Sequence, residues 1–343
     1  MSFSIGIVGL PNVGKSTLFK ALTKKQVEIA PRPFTTIHPN IGIVSVPDQR
    51  LESLAKIIKP EKVTPTVIEF VDIAGLVKGA HKGEGLGNQF LAQIRSCDAI
   101  LEVVRCFKDP RVENVLGEVN PEKEIEIVKI ELLMKDLETL KSSVSKLEKK
   151  KDKEALKKIE FLKRIEEQVS QGKLIREVNL TNDEKLEIQK YQFLTAKPIF
   201  YIFNADGKKT HDLTSDVKHL LVNLKLEEEI SELSEKEVGE LDLKSQLDKL
   251  ITSCYNILDL ITFFTIAGFK ETRAWTIKQG ARCDRAASRV HSDFERRFIK
   301  AEVIPWNRLV EASSWSKARE LGWLKTAGRN YLVQDGDVIE FKI

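Results

Sequence analysis

The nine residues Gly9-Leu10-Pro11-Asn12-Val13-Gly14-Lys15-Ser16-Thr17 constrain this chain more than any other stretch, because they join two different hydrophobic periodicities. Before them, Phe3, Ile5, Ile7 and Val8 read as a buried strand; after them, Ser16 to Leu22 opens a helix. A strand that runs through a glycine-bracketed loop into a helix is the founding unit of a doubly wound parallel sheet. Gly9 and Gly14 permit the tight turn whose backbone N–H groups converge on phosphate oxygens, and the helix N-terminus adds its dipole. In this register Lys15 reaches the β and γ oxygens and Ser16 holds Mg²⁺.

The remaining sequence fixes the order of parts. Strand-like runs at 41–46, 66–72 and 99–104 continue the α/β alternation, and the next one, 198–204, comes only after a long interruption. Within the interruption Ile130, Leu133, Leu137, Leu140, Val144 and Leu147 recur at spacings of three and four, and Leu156, Ile159, Leu162, Ile165 and Val169 form a second stripe beyond the charged stretch 148–154. Two antiparallel helices joined at a charged tip satisfy that pattern. From Phe263 the pattern becomes short strands at 263–266, 273–277, 301–304, 331–333 and 338–341, with one helix over 283–298. The expected fold is α/β: a P-loop NTPase domain in two parts, 1–119 and 195–262, a helical coiled-coil insertion at 120–194, and a small α+β domain at 263–343.

With 343 residues and a formal net charge of +4, total charge makes no case for nucleic acid, and DNA is not expected as a partner. Over residues 260–343, however, Lys and Arg exceed Asp and Glu by five, so the positive excess is C-terminal and suits either a docking face or a solvated surface. Cys97, Cys106, Cys254 and Cys283 are too widely spaced for a metal cluster or a disulfide framework. No run approaches a membrane span and no basic leader precedes the first apolar stretch, so the expectation is a reduced, cytoplasmic protein.

Several loops carry chemistry. Asp72-Ile73-Ala74-Gly75 closes the third strand with a D-x-x-G pattern, in which Asp72 serves Mg²⁺ and the Gly75 N–H serves the γ-phosphate. Thr36 is the candidate for the remaining Mg²⁺ position, with Thr35 as the alternative. Leu76 stands where Ras-like proteins carry a water-orienting glutamine, so hydrolysis must depend on another group, and His81 lies in the glycine-rich stretch that follows. At the base motif, guanine-specific proteins carry Asn-Lys-x-Asp, whereas this chain reads Asn204-Ala205-Asp206-Gly207. The guanine fork cannot be built in that register, which favours ATP unless Asp206 shifts into the role.

Taken together, GLPNVGKSTLF (Gly9 to Phe19), PFTTIHPN (Pro33 to Asn40), DIAGLVKGAHKGEGLGNQFL (Asp72 to Leu91), the helical insertion and the C-terminal stretch ending in YLVQDGDVIEFK resemble the YchF subfamily of Obg-related P-loop NTPases, the Obg-like ATPases. The C-terminal part looks like a TGS domain, a ubiquitin-like module. The resemblance implies an ATPase that associates with the ribosome through rRNA contacts. It also implies that Asn12, Val13, Gly14, Lys15, Ser16 and Thr17 bind phosphate, that Ser16 and Thr36 hold Mg²⁺, and that His81 acts in hydrolysis. Asn12 occupies the position associated with K⁺ use in related NTPases, and Asn204 and Asp206 fall in the base-binding segment. Gly207 stands where that subfamily carries an acid, and Thr35 where it often has cysteine.

Overall fold

Strand β1 (Phe3–Val8) is buried from its third residue onward, and Gly9, at φ +148°, turns the chain out of it into the loop. A Cβ at Gly9 would stand 2.4 Å from the Val103 carbonyl, so only glycine fits there. The computed structural model describes residues 3–24, 40–73, 91, 93–150, 152–207 and 218–343. Among them the strands after β1 are β2 (Ile41–Ser45), β3 (Lys62–Thr64), β4 (Val67–Asp72), β5 (Ala99–Arg105), β6 (Ile199–Asn204), β7 (His219–Val222), β8 (Leu260–Ala267), β9 (Glu271–Lys278), β10 (Lys300–Pro305), β11 (Lys325–Ala327) and β12 (Asp337–Lys342). They form two six-stranded sheets, β2-β4-β1-β5-β6-β7 and β11-β10-β12-β8-β9-β3.

In the first sheet β1, β5, β6 and β7 run parallel, and all residues of β5 and β6 are buried, as strands covered on both faces must be. The insertion rises from it as helices Pro121–Glu148 and Lys153–Ser170. Asn120 and Asp152 cap their N-termini through their side chains, and Pro121 sits at the first helical position. Leu133, Leu140, Val144, Leu162, Ile165 and Val169 form the seam as the spacing predicts, but Ile130 and Leu156 face solvent, 46% and 61% exposed. The arm root is broader than a hairpin: Leu174, Ile175, Ile188 and Phe193 join the same core. There Asp136, fully buried, accepts hydrogen bonds from Leu194 N (2.9 Å), Thr195 N (2.7 Å) and Thr195 Oγ1 (2.7 Å), which locks the returning chain to the long helix.

Residues Met1–Val44 and Glu69–Leu247 make one compact unit, and Ser45–Ile68 with Asp248–Ile343 make the other. The segment 45–68 thus differs from the contiguous first part expected at 1–119. Its helix, Gln49–Ile58, buries Leu51 and Leu54 against Phe264, Ile304, Leu309 and Val338, and two such side chains contribute about 4 kcal/mol. Arg50 donates to Asp48 and to Asp335 (2.7 Å), whose other oxygen accepts from Thr262 N, and β3 adds parallel to β9.

The second unit has the hairpin β8-β9, then helix Cys283–Val290, and a last strand, β12, seated parallel beside β8: the ubiquitin-like arrangement expected. Local details depart from expectation. The single helix over 283–298 is two, Cys283–Val290 and Phe294–Arg297, because His291 is extended at φ −155°. Residues 331–333 make only an isolated bridge, Arg282 with Leu332, and the helices Trp306–Ala312 and Trp315–Glu320 were not anticipated. No helix of the described residues is long and apolar enough to cross a membrane.

Candidate functional site

Positive φ at Asn12 (+63°) and Gly14 (+108°) coils the loop between β1 and helix Lys15–Lys24. A Cβ at Gly14 would lie 2.5 Å from Asn204 Nδ2, so the second glycine is required by close approach as well as by φ. Asn204 explains that approach: its Nδ2 donates to Val13 O (2.9 Å) and its Oδ1 accepts from Leu224 N (3.2 Å). Both ends of this buried amide are spent on backbone, so Asn204 acts by fixing the loop against the start of helix Leu224–Ile230.

The loop opens on a cavity of about 550 Å³. Asn12, Gly14, Lys15, Ser16 and Thr17 form its floor, and Asn204, Ala205, Asp206, Asn223, Lys225 and Glu228 line it together with Phe107, Lys108, Asp109 and Val112. Of the residues predicted from sequence, Asn12, Gly14, Lys15, Ser16, Thr17, Asn204 and Asp206 thus meet at one cavity, while Val13 is buried behind it with its carbonyl held by Asn204. Gly75, His81 and Thr36, with Thr35 and Leu76, lie outside the described residues.

Lys15 is buried, 8% exposed, and its Nζ donates to Leu10 O (2.8 Å) across the loop. Burial lowers its pKa to about 8, against the opposing fields of Asp72 and Glu124. Asp72, at the end of β4, is raised by burial and pulled back by Lys15. One hydroxyl, Ser16, and one carboxylate, Asp72, are a sparse set, and the described residues hold no cluster of three or more His, Cys, Asp or Glu. That set suits Mg²⁺, which keeps waters and phosphate oxygens as its other ligands. Asn12 Nδ2 donates to Glu113 O (3.3 Å), which leaves Oδ1 as the atom available to a monovalent cation.

The wall formed by Phe107, Lys108, Asp109 and Val112 escaped the sequence reading. Its only sequence signal is a charged residue, Arg105, closing a strand that is apolar but for Glu102 and proves to be buried throughout. The same strand carries Glu102, wholly enclosed, whose carboxyl is held well above the usual range by burial and by neighbouring Glu124. Glu124, in the first turn of the arm helix, accepts from Arg105 N (2.9 Å) and is raised by burial to about 7, opposed by Arg105 and Lys15. A carboxyl raised on folding binds its proton more tightly in the native state, so its stabilising contribution is present at low pH and is lost as pH rises through 7. The contribution of Glu124 to the unfolding free energy is therefore expected to fall by up to about 3 kcal/mol between pH 4.5 and 7.5, and Glu124→Gln should flatten the slope by that share. Urea titrations of both proteins at several pH values test this; parallel curves would show that Glu124 does not titrate in that window.

Two families match this sequence: one described as 50S ribosome-binding GTPase over residues 4–154, and YchF-GTPase_C, described as a protein of unknown function, over 260–343. The "Ribosome-binding ATPase YchF" of Bacillus subtilis is 43% identical, with 100% of this chain and 99% of the relative covered. That of Pasteurella multocida is 44% identical over the same shares. This chain belongs to the YchF family. A solved structure, the Schizosaccharomyces pombe YchF GTPase, superposes with a TM-score of 0.87 at 33% identity, covering 99% of this chain and 98% of that one. YchF relatives are thus called ATPase in one place and GTPase in another, and the names alone do not decide the base.

Proposed function

We propose that this YchF family member is a Mg²⁺-dependent ATPase of the cytoplasm that converts ATP to ADP and phosphate and binds the ribosome according to its nucleotide state. The observation that carries the reading is that one cavity is floored by Asn12, Gly14, Lys15, Ser16 and Thr17 and also lined by Asn204, Ala205 and Asp206. Its floor is a phosphate cradle, where backbone N–H groups, the helix N-terminus and Lys15 receive the triphosphate. Ser16 and Asp72, with Thr36, would hold the Mg²⁺, which neutralises charge on the β and γ oxygens. Gly75 would sense the γ-phosphate, and His81 would orient water in place of the glutamine that Leu76 replaces. Asn12 could hold K⁺ beside the phosphates.

Adenine is favoured because no lysine stem covers the base at Ala205 and no acid stands at Gly207. Against it, Asp206 lines the cavity, and a carboxylate accepts from guanine N1–H and the 2-amino group. A GTPase is therefore the second reading. The ribosomal partner is supported by the names of the relatives and by the C-terminal positive excess, which would make binding salt-dependent.

Titration with non-hydrolysable analogues is expected to give tighter ATP than GTP binding. Ala205→Lys with Gly207→Asp should shift preference toward GTP by about tenfold or more, one new charge-assisted pair being worth 1.5–3 kcal/mol. Position 207 has φ +79° and open space around a Cβ, and aspartate tolerates that conformation better than most residues. Tighter GTP binding by the unaltered protein, reduced by Asp206→Asn, would replace the ATPase reading with the second. Phosphate release, with and without ribosomes, then distinguishes an enzyme from a nucleotide-dependent scaffold.

A further inference from the structure

Residues 106–113 follow β5 without forming helix or strand, yet they supply one wall of the cavity. Their carbonyls converge on one buried side chain. Arg105, 3% exposed, donates from Nε to Phe107 O (3.3 Å), from Nη1 to Glu113 O (3.0 Å), and from Nη2 to Val112 O (2.9 Å) and Asp109 O (3.4 Å). Its guanidinium carbon also lies 4.4 Å from the centroid of the Phe107 ring. The planar fork of an arginine can serve four carbonyls at once, and no other side chain has that donor geometry.

Arg105 is itself held rigidly. It pairs with Asn204 across β5 and β6, its N–H is taken by Glu124, and Cys106 N donates to Asn204 O (2.9 Å). The paired ends of two neighbouring strands therefore carry Asn204, the residue fixing the phosphate loop, on β6 and the anchor of the 106–113 wall on β5.

We infer that Arg105 is a positioning residue for nucleoside recognition: by gathering the carbonyls of Phe107, Asp109, Val112 and Glu113 it sets the wall that meets the base, while the phosphate cradle is held chiefly through Asn204, the long bond from Asn12 Nδ2 to Glu113 O being the link between the two. The inference rests on the reading of the cavity as a nucleotide site. Because Lys108 and Glu113 are exposed and Phe107, Asp109 and Val112 only partly buried, carbonyls released from Arg105 can turn to water, so its loss unpins the loop without emptying the core.

The test compares ATP, GTP and inorganic tripolyphosphate binding to the full-length protein and to Arg105→Met, which keeps the stem and removes the donors. ATP affinity is expected to fall at least tenfold, the ATP to GTP ratio to shrink toward one, and tripolyphosphate affinity to change less than twofold. Arg105→Lys, with donors on a single nitrogen, should lie between and serves alone if the methionine variant does not fold. Parallel loss of ATP and tripolyphosphate, or loss of neither, overturns the role of Arg105. Failure of the unaltered protein to bind tripolyphosphate and ATP would instead overturn the nucleotide-site reading.

Discussion

Replacing Lys15 by methionine is expected to abolish function while leaving the unliganded protein as stable as before, or more so. The ammonium is buried and its pKa is lowered to about 8, so at neutral pH the folded state carries a charge it disfavours. The shift from 10.5 to about 8 corresponds to roughly 3 kcal/mol, which is relieved as pH rises from 8 toward 10.5. Against this stands one hydrogen bond to Leu10 O, worth about 1 kcal/mol. The melting temperature of the Lys15→Met protein should therefore match or exceed that of the parent, while its rise on adding ATP disappears and turnover falls about 10²–10³-fold, the usual loss for one preorganised donor. A companion effect concerns pH: above about 8 the neutral amine must take up a proton to meet the phosphates, so ATP affinity of the unaltered protein should weaken. A substantially destabilised variant would show that Lys15 has a structural role the burial argument misses.

Gly14→Ala should be nearly as damaging, for reasons of space. Its Cβ would press on Asn204 Nδ2 at 2.5 Å and on Leu224 Cδ1 at 3.2 Å, with φ held at +108°. Backbone strain of about 1–3 kcal/mol adds to the two lost bonds of Asn204, about 1 kcal/mol each, so a destabilisation of about 3–5 kcal/mol and a loss of nucleotide affinity are expected. Asn204→Ala alone strands Val13 O and Leu224 N. Combining the two removes the clash, so the double variant should cost clearly less than the sum of the single changes. Denaturant titrations of the four proteins supply the cycle, and strict additivity would mean that Gly14 and Asn204 do not act through each other.

What sequence could show, and what it could not, follows from the range over which each feature is determined. Gly9, Gly14 and Lys15 were legible because a tight loop between strand and helix is set by a few adjacent residues, and the arm because its seam repeats along one helix face. The helix Gln49–Ile58 was harder to place: its amphipathic face asks for a partner but does not say which sheet supplies it. β3 gave no signal at all, since Lys62 and Val63 are exposed and a three-residue edge strand exists only by pairing with β9, over two hundred positions away. The base segment shows the same division. Asn204 and Asp206 could be found by motif register, but that the Asn204 amide is spent on Val13 and Leu224, and that Arg105 gathers four carbonyls of the loop that follows it, depend on which backbone atoms arrive within 3.5 Å once β1, β5 and β6 are side by side. By itself the sequence determined the phosphate loop, the arm and the order of parts, because these rest on local conformation and periodicity. Only the tertiary structure decided which unit takes residues 45–68 and how Asn204 ties the phosphate loop to β6, because both depend on contacts that close across long loops of chain.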